Sequence, residues 1–174
     1  MPFADGEFAS VVSNSVLEHI PFLDPVLAET ARVLQQGGYF IFCVPNQRFT
    51  EELQGTTVFR KIGWPKASRV YSRLFNRISR HAHTDSHEVW EERLLKAGFT
   101  IEKCWDYFPP PALHVLEAGH FFGLPSLVVR RLTGKWILVQ SRANLWLPWV
   151  ITHRHVQNPI HPQGVYSFYI TRRQ

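Results

Sequence analysis

Two apolar runs near the start of the chain bracket an amphipathic segment. Residues 8–13 (FASVVS) and 39–44 (YFIFCV) are rich in Val, Ile and Phe and lack in/out alternation. Each is therefore expected to be a strand covered on both sides. Between them Val26, Leu27, Thr30, Ala31, Val33 and Leu34 recur at spacings of three and four. That periodicity predicts a helix over residues 24–36 with one stripe against a sheet. Asp24 is placed to accept first-turn N–H groups, Pro25 fits the first turn, and the Gly37–Gly38 pair is expected to end the helix in left-handed geometry. Strand, helix, strand in this order predicts a parallel sheet. The glycine pair follows a helix and precedes a strand, the reverse of a nucleotide-binding loop.

Further along, Val70, Leu74 and Ile78 share one face of a predicted helix over residues 66–79, with Tyr71 and Phe75 beside them and Arg69, Arg73, Arg77 and Arg80 around it. His81 and His83 follow. A spacing of two in extended chain puts both on one side, as two ligands or proton carriers require. No carboxylate or cysteine motif near them completes a zinc site, so no metal is expected there. A third helix is predicted from Asp85 or Ser86 to Ala97, with Gly98 at its end and Asp85 with Glu88 as a substitute capping box. Residues 99–108 and 165–171 read as two more strands, the first stopped by the prolines at 109–111. Residues 109–163 carry Leu113, Leu116, Phe121, Phe122, Trp136, Trp146 and Trp149, more apolar surface than a loop needs. His114, Glu117 and His120 interrupt one run and Gln140, Ser141 and Arg142 the other, so no transmembrane helix is expected.

Composition adds little to this picture. At 174 residues and 45% hydrophobic, the chain is long enough for one core. A net charge of +5, with nine histidines uncounted, fits an anionic substrate or surface but is too dispersed to argue nucleic acid. Cys43 and Cys104 have no metal spacing, and a reducing, cytoplasmic setting is expected.

The segments PFADGEF (2–8), SNSVLEHI (13–20), LAETARVLQQGG (27–38) and FIFCVPN (40–46) together resemble the second half of a class I S-adenosylmethionine-dependent methyltransferase of the type-11 group. The resemblance implies a partial Rossmann-like methyltransferase sheet, an α/β fold comprising the family's fourth to seventh strands with helical insertions. The last strand would run antiparallel between the fifth and sixth. Cys43 and Cys104 would then lie about 9.5 Å apart across that strand, too far for a disulfide. The family's Gly-rich cofactor loop and ribose-binding acidic residue have no counterpart in these residues. At about 30 residues per strand-helix repeat, roughly 70 to 100 residues are expected upstream, with Met1 an internal position.

Open parallel sheets bind ligands at the carboxyl ends of their strands. The resemblance accordingly implies S-adenosylmethionine contacts at Ser13, Asn14 and Ser15, with Met1 at the edge of the cofactor pocket. His19, His81 and His83 are candidate acceptor-side groups, with Glu18 expected to be structural. Residues 47–83 form a candidate basic substrate cover and 109–163 an apolar, aromatic cap. The expected acceptor is a small or lipid-like molecule. A peripheral membrane contact remains open, as does a non-catalytic module that holds nucleic acid or anionic lipid through the basic, aromatic insertions.

Overall fold

The computed structural model describes residues 1–136, 141–153 and 160–174. Four strands form one sheet in the order β1 (Phe8–Asn14), β2 (Leu34–Pro45), β4 (Tyr166–Arg173), β3 (Phe99–Tyr107). β1 and β2 are parallel, and β4 is antiparallel to both β2 and β3. The inserted antiparallel strand therefore lies where the resemblance placed it. It separates the strands that carry the free thiols Cys43 and Cys104.

β2 is buried on both faces from Phe42 to Pro45, as expected of a central strand. β1 departs from expectation: Ala9, Ser10, Val12 and Asn14 are exposed, Val12 at 69%. Only one of its faces packs on the core, through Phe8 and Val11. Among the described residues β1 is the edge of the sheet.

The first helix also corrects the sequence reading. α1 spans Leu23–Val33, with Phe22 at its N-cap and no side-chain capping hydrogen bond from Asp24. It ends at Val33, before the glycine pair, and Leu34 is already extended. Gly37 and Gly38 instead build an irregularity in β2, where Leu34 faces Phe8 and Tyr39 faces Ser10. The surplus residues bulge out of the ladder. Gly37 takes φ 72°, and a Cβ on Gly38 would lie 2.9 Å from the carbonyl oxygens of Ala9 and Gln35. Both features demand glycine, which is why the pair mimics a helix stop in sequence.

Leu23, Leu27 and Leu34 join Phe40, Phe42, Trp90, Leu94, Phe99 and Tyr169 in the main core. Trp90 and Leu94 come from α5 (His87–Lys96), which follows Ser86 at the N-cap and has Gly98 at φ 82° beyond its end. The substitute capping box is absent, because Asp85 pairs with Arg93 and His83.

A second core of Phe49, Leu53, Phe75, Leu113 and Val165 lies toward the end of the sheet where β2 finishes and β4 begins. It is built from α2 (Arg48–Glu51), α4 (Pro65–Ser79) and α6 (Pro110–Phe122), with α3 (Gln54–Lys61) packed on α4. On α4 the buried side is Ser68 and Phe75 with half-buried Tyr71, while Val70, Leu74 and Ile78 stand 65%, 52% and 52% exposed. The larger aromatics take the interior because they bury more apolar area per position.

α7 (Leu124–Thr133) and α8 (Ala143–Thr152) complete the described part of the cap. Residues 137–140 and 154–159 of that expected cap, Gln140 included, lie outside the described residues. Among the described residues no single helix is long and apolar enough to cross a membrane. Glu117, which interrupts the apolar pattern of α6, is 3% exposed and receives the amides of Gln54 and Gly55 at 2.5 and 2.9 Å and the Tyr71 hydroxyl. A buried carboxylate thus caps the exposed donors of α3.

Asn46 fastens the end of β2. Its Nδ2 donates to Ser167 Oγ at 3.0 Å and to the Gly164 carbonyl at 3.1 Å, and its Oδ1 accepts from the Arg48 amide at 3.0 Å. Gly164 must be glycine, since a Cβ there would meet backbone atoms of Tyr107 at 2.4 Å. Gly164→Ala is expected to destabilise the protein by about 1–3 kcal/mol through forced backbone displacement. Urea unfolding is expected to show a lower midpoint with an unchanged slope.

Candidate functional site

β1 and β2 run parallel, so their carboxyl ends open on the same rim. Ser15 follows β1 with φ 49°, in left-handed geometry unusual for a residue with a side chain. Its amide donates to the Cys43 carbonyl at 3.2 Å, closing the end of β1 onto β2. The Cys43 thiol donates to Asn14 Oδ1 at 2.8 Å, which leaves the amide of exposed Asn14 facing outward. Ser13, Asn14 and Ser15 therefore share one rim. Met1 does not join them: its amino group pairs with Glu29 at 2.5 Å, and its carbonyl accepts from Arg32, both on α1.

Two other side-chain-bearing residues in the described chain have positive φ, Arg80 at 58° and Phe108 at 62°. Phe108 directly follows β3, and Arg80 ends α4 immediately before His81. Residues held in sparsely populated backbone regions tend to gather at functional sites.

A short 3-10 turn, Leu17–His19, follows the rim of β1. The carbonyl of Glu18 accepts the amides of both Ala82 and His83, at 2.7 and 3.2 Å. That pair of bonds carries His81 to His19, with ring centroids 5.3 Å apart. His19 donates or accepts through Nδ1 at the Arg80 carbonyl, 3.0 Å away; because a carbonyl only accepts, Nδ1 carries the proton. Its Nε2 then lies 3.9 Å from Glu18 Oε1. His81 also packs edge-on against Phe49 at 4.9 Å.

Glu18 is 1% exposed, and burial raises its carboxyl above the usual range, against a lowering from its backbone hydrogen bond and His19. Burial, aided by His19 and His120, lowers His81 to about 4. Tyr107 and Tyr166, at the rim ends of β3 and β4, are raised chiefly by burial, and the Glu18 charge adds to both. A neutral imidazole, a reluctant carboxylate and un-ionised phenols together make a polar cluster that resists charging.

His83 is separated from His81. Its Nε2 meets the Pro21 carbonyl at 3.3 Å, and its Nδ1 lies 3.2 Å from Asp85 and 3.4 Å from Arg93. These partners fix the loop at residues 81–85 against the turn after Glu18. The spacing of two thus does not bring the two rings to one partner.

Sequence reasoning passed over Glu18 as a site group, along with Tyr107 and Tyr166. A carboxylate directly before His19, in a segment otherwise apolar, was the available signal for the first. Nothing local marked the tyrosines, which reach the rim through strand pairing.

The four-stranded sheet and its helices form an α/β, Rossmann-like fold of the kind found in class I methyltransferases, represented here by a partial sheet. Residues 1–42 match the family model described as a methyltransferase domain. An S-adenosylmethionine-dependent methyltransferase from Thermotoga maritima superposes with a TM-score of 0.53 at 13% identity, over 100% of this chain and 60% of its own. A geranyl diphosphate C-methyltransferase from Streptomyces coelicolor, solved with Mg2+, geranyl diphosphate and S-adenosyl-L-homocysteine, gives 0.52 at 12% identity over 100% and 50%. The [4+2]-cyclase SpnF gives 0.51 at 15% identity over 99% and 52%. The chain spans 50 to 60% of these proteins' lengths. No curated protein sequence matches it.

The opposed shifts at Glu18 and His81 give a pH signature in metal-free buffer. Unfolded His81 takes a proton near its ordinary 6.5 but folded His81 only near 4, so stability is lost as pH falls through that window. The folded Glu18 holds its proton above the ordinary 4.5, so its contribution is present at low pH and lost as pH rises through the raised value. Glu18→Gln is expected to raise the melting temperature at pH 8 but not at pH 4. His81→Gln is expected to flatten the acid limb, as measured by scanning calorimetry.

Proposed function

We propose that the chain is the acceptor-side portion of an S-adenosylmethionine-dependent methyltransferase acting on a small or lipid-like molecule. The observation that carries this reading is the rim at Ser13, Asn14 and Ser15, with the Glu18–His19–His81 cluster standing directly beyond it. Small side chains at a parallel strand end, one in left-handed backbone, allow close approach of a ligand's amino-acid part. When bound, the sulfonium donor supplies an already activated methyl group. The chain's own contribution is to align the acceptor, exclude water and, at His19, take up the acceptor's proton through Nε2.

The insertion at 47–83 supports a covering role. Its second-core aromatics, Phe49 and Phe75, are buried, and α4 sets the Arg80 carbonyl and His81 over the turn that carries His19. Met1 and His83 are weaker assignments, since both are occupied by structural partners. The geranyl diphosphate enzyme among the structural neighbours supports a lipid-like acceptor as one class to assay. The alternative of a binding module draws on a different observation, the exposed Trp64, Val70, Leu74 and Ile78 beside the arginines of α4. That surface lies on the helix side opposite the second core and does not involve the rim.

The chain spans 50 to 60% of the neighbours' lengths, and on this reading weak cofactor binding with little turnover is expected of it alone. The test is a nuclear magnetic resonance titration with S-adenosyl-L-homocysteine at millimolar concentration, paired with a labelled-methyl transfer assay on an acceptor panel. Shifts concentrated at the amides of Ser13, Asn14 and Ser15 are expected. Shifts confined to α4, or none at the rim, would contradict the methyltransferase reading.

A further inference from the structure

We propose that Glu18, His19 and His81 form a binding site for a divalent transition-metal ion of the zinc class. Their ligand atoms lie within 4.8 Å of one another, the group among the described residues with this property. Two of the three hold polar atoms that no group among the described residues answers. Glu18 Oε2 and His81 Nδ1 are buried with no hydrogen-bond partner, and Glu18 is 1% exposed. Buried polar atoms are nearly always paired, and leaving a carboxylate oxygen and an imidazole nitrogen unpaired in one cluster is costly. One cation between them satisfies both.

The third ligand is prepared by its outer partner. His19 Nδ1–H donates to the Arg80 carbonyl at 3.0 Å, which leaves the Nε2 lone pair on the side of Glu18. A metal-bound histidine ordinarily fixes its tautomer in this way, through a carbonyl on its other nitrogen. Arg80 presents that carbonyl from left-handed backbone at φ 58°, a conformation unfavourable for arginine. The same turn delivers His81. An acid–base dyad fits less well, because the 3.9 Å between His19 Nε2 and Glu18 Oε1 exceeds hydrogen-bond length.

Two imidazole nitrogens and one carboxylate oxygen suit zinc and its transition-metal neighbours rather than magnesium or calcium, which take oxygen ligands. In a tetrahedral zinc site at bond lengths of about 2.0–2.1 Å, neighbouring ligand atoms lie about 3.3 Å apart. Binding therefore draws the cluster inward, and the His19 side chain, 42% exposed, is the member with room to move. Three protein ligands leave a fourth position open, the pattern of reactive rather than purely structural zinc. With the ion bound, His19 Nε2 is a ligand rather than a proton acceptor, and the open position takes water or an oxygen of the acceptor. The acceptor role rests on the methyl-transfer reading; metal uptake does not.

The experiment uses the full chain, stripped with a chelator and dialysed against zinc chloride, with bound metal counted by mass spectrometry and cobalt(II) substitution followed by visible absorption. One equivalent of zinc and a tetrahedral cobalt spectrum are expected. His19→Ala, at an exposed position that leaves the core intact, and Glu18→Gln, which keeps side-chain volume, are each expected to weaken retention at least about tenfold. His153→Ala, at the end of α8 where the ring meets the Trp149 carbonyl and is no part of the cluster, is expected to leave it unchanged. Retention well below one equivalent, equal retention in the His19 and Glu18 variants, or an equal loss in the His153 variant would overturn the site, whatever the outcome of the methyl-transfer assay.

Discussion

One carbonyl joins the two halves of the site. Glu18 stands in the turn that follows β1, and its carbonyl oxygen takes the amides of Ala82 and His83 from the end of the basic insertion. Together with His19 on the Arg80 carbonyl and His83 on the Pro21 carbonyl, those bonds fix the insertion against the rim and bring His81 to face His19. Each such bond is worth about 1 kcal/mol net, but the carbonyl sits beside a fully buried side chain, where an unanswered acceptor costs more than the bond contributes. The pairing is therefore specified as strongly by what its absence would expose as by its own strength.

Around this tie the molecule divides its interior in two. The main core fills the space between the sheet and helices α1 and α5, and sets β1 parallel to β2. The second core gathers α2, α4 and α6 at the end of the sheet. Polar side chains hold the boundary: Asn46 stitches β2 to the start of β4, and Asp106 receives Ser167 at 2.7 Å and His87 at 3.0 Å. On the insertion side Glu117 caps α3. These buried polar groups have partners on several elements at once, so they fix register as well as stability. The Glu18 cluster brings two unanswered buried atoms, Glu18 Oε2 and His81 Nδ1, together with the His19 ring.

The strand, helix, strand unit was legible because its hydrophobic periods change cleanly from run to stripe to run. So was the antiparallel last strand, through the family resemblance. The glycine pair was not, since a bulge and a helix stop make the same demand for positive φ and differ only in what pairs across the ladder. The exposure of β1 was hidden for a similar reason: apolar composition records what a strand can bury, and the neighbours decide what it does bury. On α4 two apolar stripes competed, and only tertiary packing chose Tyr71 and Phe75 over Val70, Leu74 and Ile78. Among the candidate site residues, the rim position of Ser13 to Ser15 follows from strand direction alone. The meeting of Glu18 with His81 spans a long stretch of chain and leaves no local pattern, while the spacing of His81 and His83 suggested a partnership that the turn at Arg80 breaks.

The account turns on whether the turn after β1 and the end of the basic insertion are joined in solution. Amide exchange and proton cross-relaxation on labelled protein measure this directly. Strong protection of the Ala82 and His83 amides, with contacts between the His19 and His81 rings, is the predicted result. Amides at those two positions that exchange as in an unstructured chain, with no contact between the rings, would contradict it.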